Sequence, residues 1–343
     1  MRSYPLKDPY VPDLSYVIKA SEQINEYLHK DLLICFESTT YPGATKDVLL
    51  PILKKNQLII GEDFFLCFSP ERVDPGREDW TIENTPKVVG GITENCLAVG
   101  AAFYKKVVGF VVPVCNTQTA EMVKILENSF RAVNIAFINE MMIICDQLGI
   151  DIWEVISAAE TKPFGFMKFL PGPGVGGHCI PIDPSYLSWK LKQNNKESLF
   201  IDLAEKINRQ MPDYWITQLE QKLNEKNKTF ENSSLLILGI AYKKDIEDYR
   251  ESPSVRLFQI LKNKKAKVVF YDPFIPNIFI GDEVYSSVDS LEAALHSCDC
   301  ALIATNHSRF DQVNFNFYDC VVINCNGPAK VTKPKSIKEK ELV

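Results

Sequence analysis

Short apolar runs alternate with helical patterns in the first and last parts of the chain, and this alternation constrains the fold most. The strand-like runs in the first part are "LLICFESTT", "FFLCFSPERV" and "KVVGGI", and the helical ones are "DLSYVIKASEQINEYL" and "GATKDVLLPILKK". From about Ser233 the strand-like runs are "SSLLILGIAYKKD", "KVVFYDPF", "CDCALIAT" and "DCVVINCNG", with a helix over "SPSVRLFQIL". Strands that alternate with helices form parallel sheets with helical crossovers. The sequence therefore predicts two doubly wound α/β domains.

The region between these two domains is predicted to be helical. Thr117 or Thr119 can cap a long helix that runs to about Leu148, where Gly149 ends it. Apolar residues cover most faces of this helix, which is typical of a helix buried in a core or a subunit interface. We therefore expect a homodimer built on it. The predicted divisions are 1–112, 113–228 and 229–330, followed by a polar tail over 331–343.

Four polar residues lie at intervals of three and four along the same helix. They are Glu121, Lys124, Asn128 and Arg131. This spacing places them on one face. The pattern is compatible with a solvated stripe, and equally with a polar face that lines a site.

Composition excludes several classes of protein. The 343 residues are 46% apolar and 24% charged, with a net charge of -6 and no block of like charges. These values argue against nucleic acid and anionic membranes as partners. The N-terminus has no apolar core like that of a signal peptide, and no apolar run is long enough to span a membrane, so a cytoplasmic protein is expected. The ten cysteines lack the paired spacing of a zinc site, and no structural metal is expected.

The segment "PGPGVGGHCIPIDP", residues 171–184, has too many glycines and prolines for a helix or strand. Its glycines can expose backbone N–H groups to an anion. Cys179 stands near its end, and a helix is predicted to open with Asp183 as the N-cap and Pro184 in the first turn. A helix N-terminus can stabilise a thiolate. The alternative is a structural crossover with an incidental cysteine.

Two classes of enzyme use a cysteine nucleophile. A Cys–His hydrolase needs a histidine held at hydrogen-bond distance by a third group. His178 is a poor partner because sequence neighbours in an extended loop point apart, and His29, His296 and His307 carry no signature. The other class is oxidative: a thiol captures an aldehyde, and the adduct is oxidised to a thioester.

Six motifs, in order, together resemble the nucleotide-sugar 6-dehydrogenases of the UDP-glucose/GDP-mannose dehydrogenase family. They are "ESTTYPG", "FSPERVDPG", "EMVKILENSF", "FINE", "FMKFLPGPGVGGHCIPIDP" and "LGIAYKKDIEDYRESPS". The resemblance covers nearly the whole chain and is strongest to the bacterial UDP-N-acetylglucosamine 6-dehydrogenase type. It implies two Rossmann-like domains joined by the helical region, NAD as cofactor and a homodimer.

The resemblance also implies catalytic roles at the matched positions. Cys179 matches the nucleophile, and Lys124 and Asn128 match groups that hold the oxygen at the reacting carbon. Cation and amide donors can stabilise a developing oxyanion. Asp183 matches a carboxylate that works with the lysine and a water, and Glu71 matches the acid/base of thioester hydrolysis.

Binding roles follow from the same resemblance. The implied substrate contacts are Leu170, Gly172, Gly174 and Gly176 in the loop, with Tyr242 and Lys243 in the last domain. The implied cofactor contacts are Ser38, Thr39 and Arg250. The implied reaction oxidises the C6 alcohol of a UDP-sugar, with UDP-N-acetylglucosamine expected, through a thioester on Cys179 to the uronic acid. Such products are precursors of polysaccharides.

One family feature is not found. The first 110 residues contain no G-x-G-x-x-G turn, which holds the pyrophosphate of a dinucleotide, and no acidic residue in place for the ribose. The expectation is that the first domain lacks its N-terminal half and that this chain binds NAD weakly while it retains the UDP-sugar. The chain is then a truncated dehydrogenase, or a non-catalytic remnant or partner subunit that binds a UDP-sugar. A cysteine hydrolase is the third alternative.

Overall fold

Strands and helices alternate along the chain, as the sequence predicts. The computed structural model describes residues 6–8, 11–53, 57–74, 79–177 and 179–328. The strands are β1 Leu6–Asp8, β2 Val11–Pro12, β3 Leu32–Phe36, β4 Phe64–Phe68, β5 Lys87–Gly91, β6 Val111–Val114, β7 Ser234–Leu238, β8 Lys267–Tyr271, β9 Asn277–Ile280, β10 Glu283–Ser286, β11 Cys300–Ile303 and β12 Val321–Asn324. The helices are α1 Ser15–Glu26, α2 Leu50–Leu53, α3 Glu94–Tyr104, α4 Thr117–Gln147, α5 Ile152–Glu160, α6 Asp183–Lys192, α7 Leu199–Asn224, α8 Pro253–Asn263 and α9 Leu291–Ser297. A π-helical turn, Thr45–Leu49, leads into α2.

The chain divides into two compact units. Unit 1 comprises residues 1–140 and 175–209, and unit 2 comprises residues 141–174 and 210–343. The predicted α/β class is therefore confirmed in both units, each of which carries a four-stranded sheet. The predicted division at residues 112, 228 and 330 stays a prediction. The predicted tail, 331–343, lies outside the described residues.

The sheet of unit 1 has the order β3-β4-β5-β6. The pairs β3–β4 and β5–β6 are parallel, as expected from the alternation of strands and helices. The pair β4–β5 departs from that expectation because it is antiparallel, with Cys67 opposite Gly91 and Phe68 opposite Gly90. The described residues between these two strands form no helix, so no helical crossover turns the chain into a parallel neighbour.

Strand β4 forms the centre of the unit 1 core. Phe64, Leu66, Cys67 and Phe68 are all fully buried, which is the pattern of a strand covered on both faces. Helix α3 approaches this strand closely at Gly100, where an added Cβ would lie 2.9 Å from the Cys67 sulfur. Because β4 is buried, its last residue, Phe68, has a fixed position. Glu71 follows three residues later.

The sheet of unit 2 has the order β12-β11-β7-β8 and is parallel throughout. The chain leaves β7 for β8 on one side, and later returns as β11 on the other side. Ligands bind such sheets at the carboxyl ends of the strands where the direction of winding reverses. Gly239 stands there with φ of +82°, and a side chain on it would collide with the Thr305 carbonyl. A hairpin, β9–β10, was not predicted from the sequence; Gly281, with φ of +60°, begins its turn.

Two helix ends differ in detail from the sequence prediction. Asn116, rather than Thr117 or Thr119, caps α4, because its Oδ1 accepts from the Thr119 N–H at 2.8 Å. Gly149 has φ of +69° and follows the end of α4 as predicted. Helix α6 begins at Asp183 with Ile182 as the N-cap and no side-chain cap, so the prediction that Asp183 is the N-cap is wrong. The Asp183 carboxylate instead has a partner on α4, described below.

Candidate active site

Asn128 and Asp183 meet in the interior of unit 1. Asn128 lies in the middle of α4 and Asp183 is the first residue of α6, and both are buried. The Asn128 Nδ2 donates to the Asp183 Oδ2 at 2.5 Å. A buried carboxylate needs such donors, because an unpaired buried charge is costly. The contact brings together two of the predicted catalytic residues, which are far apart in sequence.

Cys179 lies in the turn that enters α6. Cys179 is partly exposed, whereas six of the ten cysteines are buried and have little access to solvent. The Cys179 carbonyl accepts from the N–H groups of Ile182 at 3.2 Å and Asp183 at 2.8 Å. Cys179 therefore lies one helical turn before Asp183 along the chain. His178, the residue before it, lies outside the described residues.

The polar face of α4 is not a solvated stripe. Glu121 is fully buried, Asn128 is buried, Lys124 is half-buried, and Arg131 alone is exposed. The Glu121 carboxylate accepts from the Gly43 N–H at 2.5 Å, the Thr45 N–H at 2.8 Å and the Thr45 hydroxyl at 2.6 Å. Burial raises the pKa of Glu121, although these hydrogen bonds oppose the shift. Glu121 thereby fixes α4 to the loop that carries "ESTTYPG".

Glu71 follows β4 in a loop, and its carboxylate is held by the backbone N–H groups of the next two residues. The Glu71 Oε1 accepts from the N–H groups of Arg72 and Val73, each at 2.7 Å. The Lys87 Nζ lies 3.7 Å from the Glu71 Oε2. Glu71 retains about a third of its side-chain exposure, 32%, so water can reach it. A fixed and accessible carboxylate is suited to proton transfer.

The sequence analysis did not single out the residues that surround Glu71. The Lys87 Nζ also lies 3.1 Å from the Glu37 Oε1, and the Tyr104 hydroxyl donates to the same oxygen at 2.5 Å. Burial, followed by the hydrogen bond to Glu37, raises the pKa of Tyr104. The Arg72 guanidinium is bound to Glu127 on α4. In the sequence, only the position of these charged residues within or next to the strand and family motifs could have pointed to them.

The predicted cofactor residues of unit 1 follow the carboxyl end of β3. Ser38 is partly buried and Thr39 is buried. The next residue, Thr40, has a buried hydroxyl oxygen that lacks a hydrogen-bond partner within the described part of the chain. Dinucleotides bind at this edge of an α/β sheet. Hydroxyl groups at that edge fit the polar groups of NAD.

The glycine-rich loop has a structural partner in unit 2. The Gly172 carbonyl accepts from the Trp215 indole N–H at 3.1 Å. Gly174 has φ of +127°, which few residues other than glycine adopt. Leu170 is exposed, and Gly176, which belongs to unit 1, is partly buried. The predicted substrate loop is thus held at Gly172 rather than free along its length.

Tyr242, Lys243 and Arg250 lie in the loop between β7 and α8. The Tyr242 N–H donates to the Asp248 carbonyl at 3.0 Å, and the Arg250 guanidinium pairs with the Asp248 carboxylate at 2.5 Å. Tyr242 and Lys243 are partly buried. The loop therefore starts at the winding reversal of the unit 2 sheet, where a ligand is expected.

A buried carboxylate supports the start of that loop. The Asp272 Oδ2 accepts from the Ile240 N–H at 2.6 Å and the Ala241 N–H at 2.9 Å, and lies 3.1 Å from the His307 Nε2. The His307 Nδ1 accepts from the Asp245 N–H at 2.9 Å, so its proton is on Nε2. Burial alone would raise the pKa of Asp272, but the bonds from His307 and the backbone outweigh it and lower that pKa.

Among the described residues, no group of three or more histidine, cysteine, aspartate or glutamate side chains is placed to hold a metal ion. Nor is any helix there both long enough and apolar enough to cross a bilayer.

Three models of the domains of one family match this sequence. The NAD-binding domain matches residues 3–108, the central domain residues 118–210, and the UDP-binding domain residues 236–326. The matches cover most of the chain in the family's order. The chain belongs to the UDP-glucose/GDP-mannose dehydrogenase family. The resemblance stated from the six motifs is therefore confirmed.

Individual relatives of this family member support the assignment. A UDP-N-acetyl-D-mannosamine dehydrogenase of Pyrococcus horikoshii is 35% identical over 89% of this chain and 70% of that protein. A UDP-N-acetyl-D-glucosamine 6-dehydrogenase of Pseudomonas aeruginosa is 32% identical over 90% of this chain and 70% of that protein. The solved structure of the Pyrococcus horikoshii UDP-D-ManNAc dehydrogenase gives a TM-score of 0.85 at 33% identity, over 94% of this chain and 75% of that one.

Membership settles the enzyme class and the cofactor of the family. The relatives described above are named as UDP-sugar dehydrogenases, which are NAD-dependent oxidoreductases, and the predicted class and cofactor are confirmed at that level. This chain spans 63% to 70% of the length of several curated relatives. Residues 3–108 match the NAD-binding domain of the family. The expectation that this domain lacks its N-terminal half stays a prediction.

Proposed function

We propose that this family member oxidises the C6 alcohol of a UDP-N-acetylhexosamine to the carboxylate. The observation that carries the proposal is the buried Asn128–Asp183 hydrogen bond of 2.5 Å, whose Asp183 lies one helical turn after Cys179 along the chain. Cys179 is the nucleophile, and Lys124 and Asn128 stabilise charge on the C6 oxygen. Uridine diphosphate is bound by unit 2, whose residues 236–326 match the UDP-binding domain.

NAD, when bound, accepts a hydride from C6 in each of the two oxidations. Ser38 and Thr39 are the residues of unit 1 that we propose to contact it. The cofactor contact expected at Arg250 from the family resemblance stays a prediction. The sum of the reaction is one alcohol, two NAD⁺ and one water converted to one carboxylate, two NADH and three protons.

In unit 1, we assign different residues to the capture of the aldehyde and to the release of the acid. The Cys179 sulfur bonds to C6 of the aldehyde, and a proton moves to the C6 oxygen to give a thiohemiacetal. Lys124 and Asn128 hold that oxygen while C6 loses the second hydride and the oxygen loses its proton to solvent, which leaves a thioester on Cys179. Asp183 orients the Asn128 amide by accepting from its Nδ2, which leaves the second hydrogen of that nitrogen to donate to the C6 oxygen.

Release of the acid requires water and a base. Glu71 takes a proton as the water oxygen bonds to C6, the C–S bond then breaks, and the Cys179 sulfur regains a proton. Two backbone N–H groups and Lys87 hold the Glu71 carboxylate in place. One cysteine can therefore serve both oxidations without release of the aldehyde.

UDP-N-acetylglucosamine is the substrate that the sequence motifs favour. A second candidate is UDP-N-acetylmannosamine, because the 35% identical relative carries that sugar in its name, whereas the glucosamine-named relative is 32% identical. The two sugars differ at one stereocentre. We further propose that the enzyme acts as a cytoplasmic homodimer and supplies uronic acids for polysaccharides.

The test combines binding and turnover. Purified protein is titrated with each UDP-sugar and with NAD by calorimetry, and NADH is followed at ~340 nm with each sugar, where reduced nicotinamide absorbs. Two NADH per acid, with a clear preference for one epimer, is the expected result. UDP-sugar binding without NADH would instead favour the non-catalytic alternative. Failure of a folded sample to bind any UDP-sugar would contradict both.

A further inference from the structure

Arg72 connects the loop of Glu71 to the helix that carries Asn128. Its Nε lies 3.0 Å and its Nη2 2.7 Å from the Glu127 Oε1. Its Nη1 donates to the Pro86 carbonyl at 2.7 Å. Both partners in the ion pair are partly buried, with side-chain exposures of 27% for Arg72 and 35% for Glu127. All three guanidinium nitrogens are therefore engaged, and the planar group has one available orientation.

The Arg72–Glu127 ion pair lies next to candidate catalytic residues at both of its ends. Glu127 precedes Asn128 on α4 and follows Lys124 by three residues. Arg72 follows Glu71, and its own backbone N–H is one of the two that hold the Glu71 carboxylate. A shift of Arg72 would thus move the N–H group on which Glu71 depends.

The hydrogen bond from Arg72 to the Pro86 carbonyl connects the ion pair to Lys87, the other cation near Glu71. Lys87, the next residue, lies 3.1 Å from Glu37 and 3.7 Å from Glu71. Lys87 is almost fully buried, so its charge is directed at these two carboxylates rather than at water. Arg72 therefore fixes the Glu71 loop from one side and the start of β5, with Lys87, from the other.

We propose that Arg72 and Glu127 are a positioning pair that holds Glu71 in register with the catalytic face of α4 during thioester hydrolysis. This inference rests on the proposed function. Arg72 contacts no reacting atom; it acts through Glu71, which takes the proton of the attacking water. A misplacement of about 1 Å can cost roughly 100-fold in rate. The two oxidations precede hydrolysis and do not require Glu71 as a base.

The expected kinetic signature separates this role from general support of the fold. In Arg72→Met, rapid mixing with NAD and UDP-sugar should give a full burst of two NADH per active chain, followed by steady turnover slowed roughly 100-fold. Intact-mass measurement should find the acyl group of the sugar on Cys179. Glu127→Gln should give the same signature, and the double variant should be no slower than either single one, because the pair acts as a unit.

The conservative variant and a control complete the experiment. Arg72→Lys keeps one charged contact to Glu127 but cannot also reach Pro86, so partial recovery is expected. Arg209→Met breaks an ion pair of 2.6 Å with Glu205 elsewhere in unit 1 and should leave the kinetics unchanged. The Cys179→Ser variant should form no adduct.

Two results would overturn the inference alone. One is a wild-type steady rate in Arg72→Met and Glu127→Gln. The other is a burst that falls in proportion to the steady rate with no adduct on Cys179, which is what loss of folded protein produces. If the wild type binds UDP-sugar but forms neither NADH nor adduct, the proposed function fails, and this inference fails with it.

Discussion

Four candidate catalytic residues of unit 1, namely Asn128, Asp183, Glu71 and Cys179, each have a defined partner or a place in a turn. Asn128 bonds to Asp183 across two helices, and Glu71 is held by the backbone N–H groups that follow it. Cys179 occupies the turn before α6. Such contacts restrict side-chain rotation before a substrate arrives, so less ordering is required in the reaction. Substitutions of these single residues are therefore expected to change the chemistry with little change in the fold.

The first prediction concerns the nucleophile. Cys179→Ser should abolish formation of the acid, because a hydroxyl is a far weaker nucleophile than a thiolate at neutral pH. Binding of the UDP-sugar should be unchanged, which calorimetry measures. Cys145→Ser, in a buried cysteine of α4, is the control and should retain acid formation if the protein folds. Full activity of the Cys179→Ser variant would exclude the covalent mechanism.

The second prediction concerns the buried pair. Asp183→Asn replaces a charged acceptor with an amide, and the Asn128 Nδ2 then loses its strong partner. We expect turnover to fall by roughly 100-fold, because the amide that orients the C6 oxygen is no longer fixed. The free energy of unfolding should fall by about 1–3 kcal/mol. A variant with normal turnover and lowered stability would show that the pair serves the fold only.

The third prediction concerns pH. The folded-state pKa of Asp272 is lowered, so its ionised form stabilises the fold at neutral pH. That contribution is complete above the unfolded pKa of about 3.9 and is lost as pH falls through the lower folded value. Asp272→Asn should therefore cost about 3 kcal/mol at pH 7 and weaken the loss of stability in acid. Asp282→Asn, at an exposed turn, is the control; equal effects in urea unfolding would contradict the prediction.

At the scale of elements, α4 carries both the candidate site and a broad apolar face. Glu121 and Asn128 point into unit 1, where both are buried. The large apolar side chains left exposed on the same helix are Met122, Leu126, Phe130, Phe137 and Ile144. Their spacing of four and seven residues places them in one stripe along the helix. A stripe of this length is unusual on the surface of a monomer.

The fourth prediction follows from this stripe. The protein should be a homodimer at micromolar concentration, with the stripes of two α4 helices at the interface. Phe137→Arg should weaken the dimer by at least tenfold in Kd, because burial of an unpaired charge is unfavourable. Phe317→Arg, at an exposed phenylalanine that is not part of α4, is the control and should leave the mass unchanged. Sedimentation equilibrium decides; a wild type of monomeric mass would refute the proposal.

At the scale of the whole molecule, two units carry different parts of the family's machinery. Unit 1 contains Cys179, Lys124, Asn128, Asp183 and Glu71. Unit 2 contains the winding reversal of a parallel sheet, at Gly239, within the residues that match the UDP-binding domain. Nucleotide affinity and chemistry should accordingly respond to different substitutions.

The fifth prediction separates these capacities. Gly239→Ala should weaken UDP binding at least tenfold, because its Cβ would collide with the Thr305 carbonyl at the end of β11. Gly281→Ala has a similar positive φ but open space around it, so it tests backbone strain without the collision and should bind UDP normally. Calorimetry with UDP alone measures both. Normal UDP binding by Gly239→Ala would place the nucleotide elsewhere.

The class of fold, the family and the long helix follow from the amino-acid sequence alone. Those features are local: period-two and period-3.6 patterns, Gly149 after α4, and motifs in a fixed order. Local patterns could not predict the antiparallel β4–β5 pair, because strand direction depends on whether the connection forms a crossover. They also left open whether the polar face of α4 is solvated.

The tertiary structure decided which residues meet. Asp183 was predicted to cap its own helix, but Asn128 competes for the same carboxylate from 55 residues away in sequence, and the buried bond is the one formed. The contact of Glu121 with Gly43 joins residues 78 positions apart, and that of Arg72 with Glu127 joins residues 55 positions apart. Sequence periodicity carries no information on such pairs, since long-range contacts arise only when separate elements pack and bury their polar groups together.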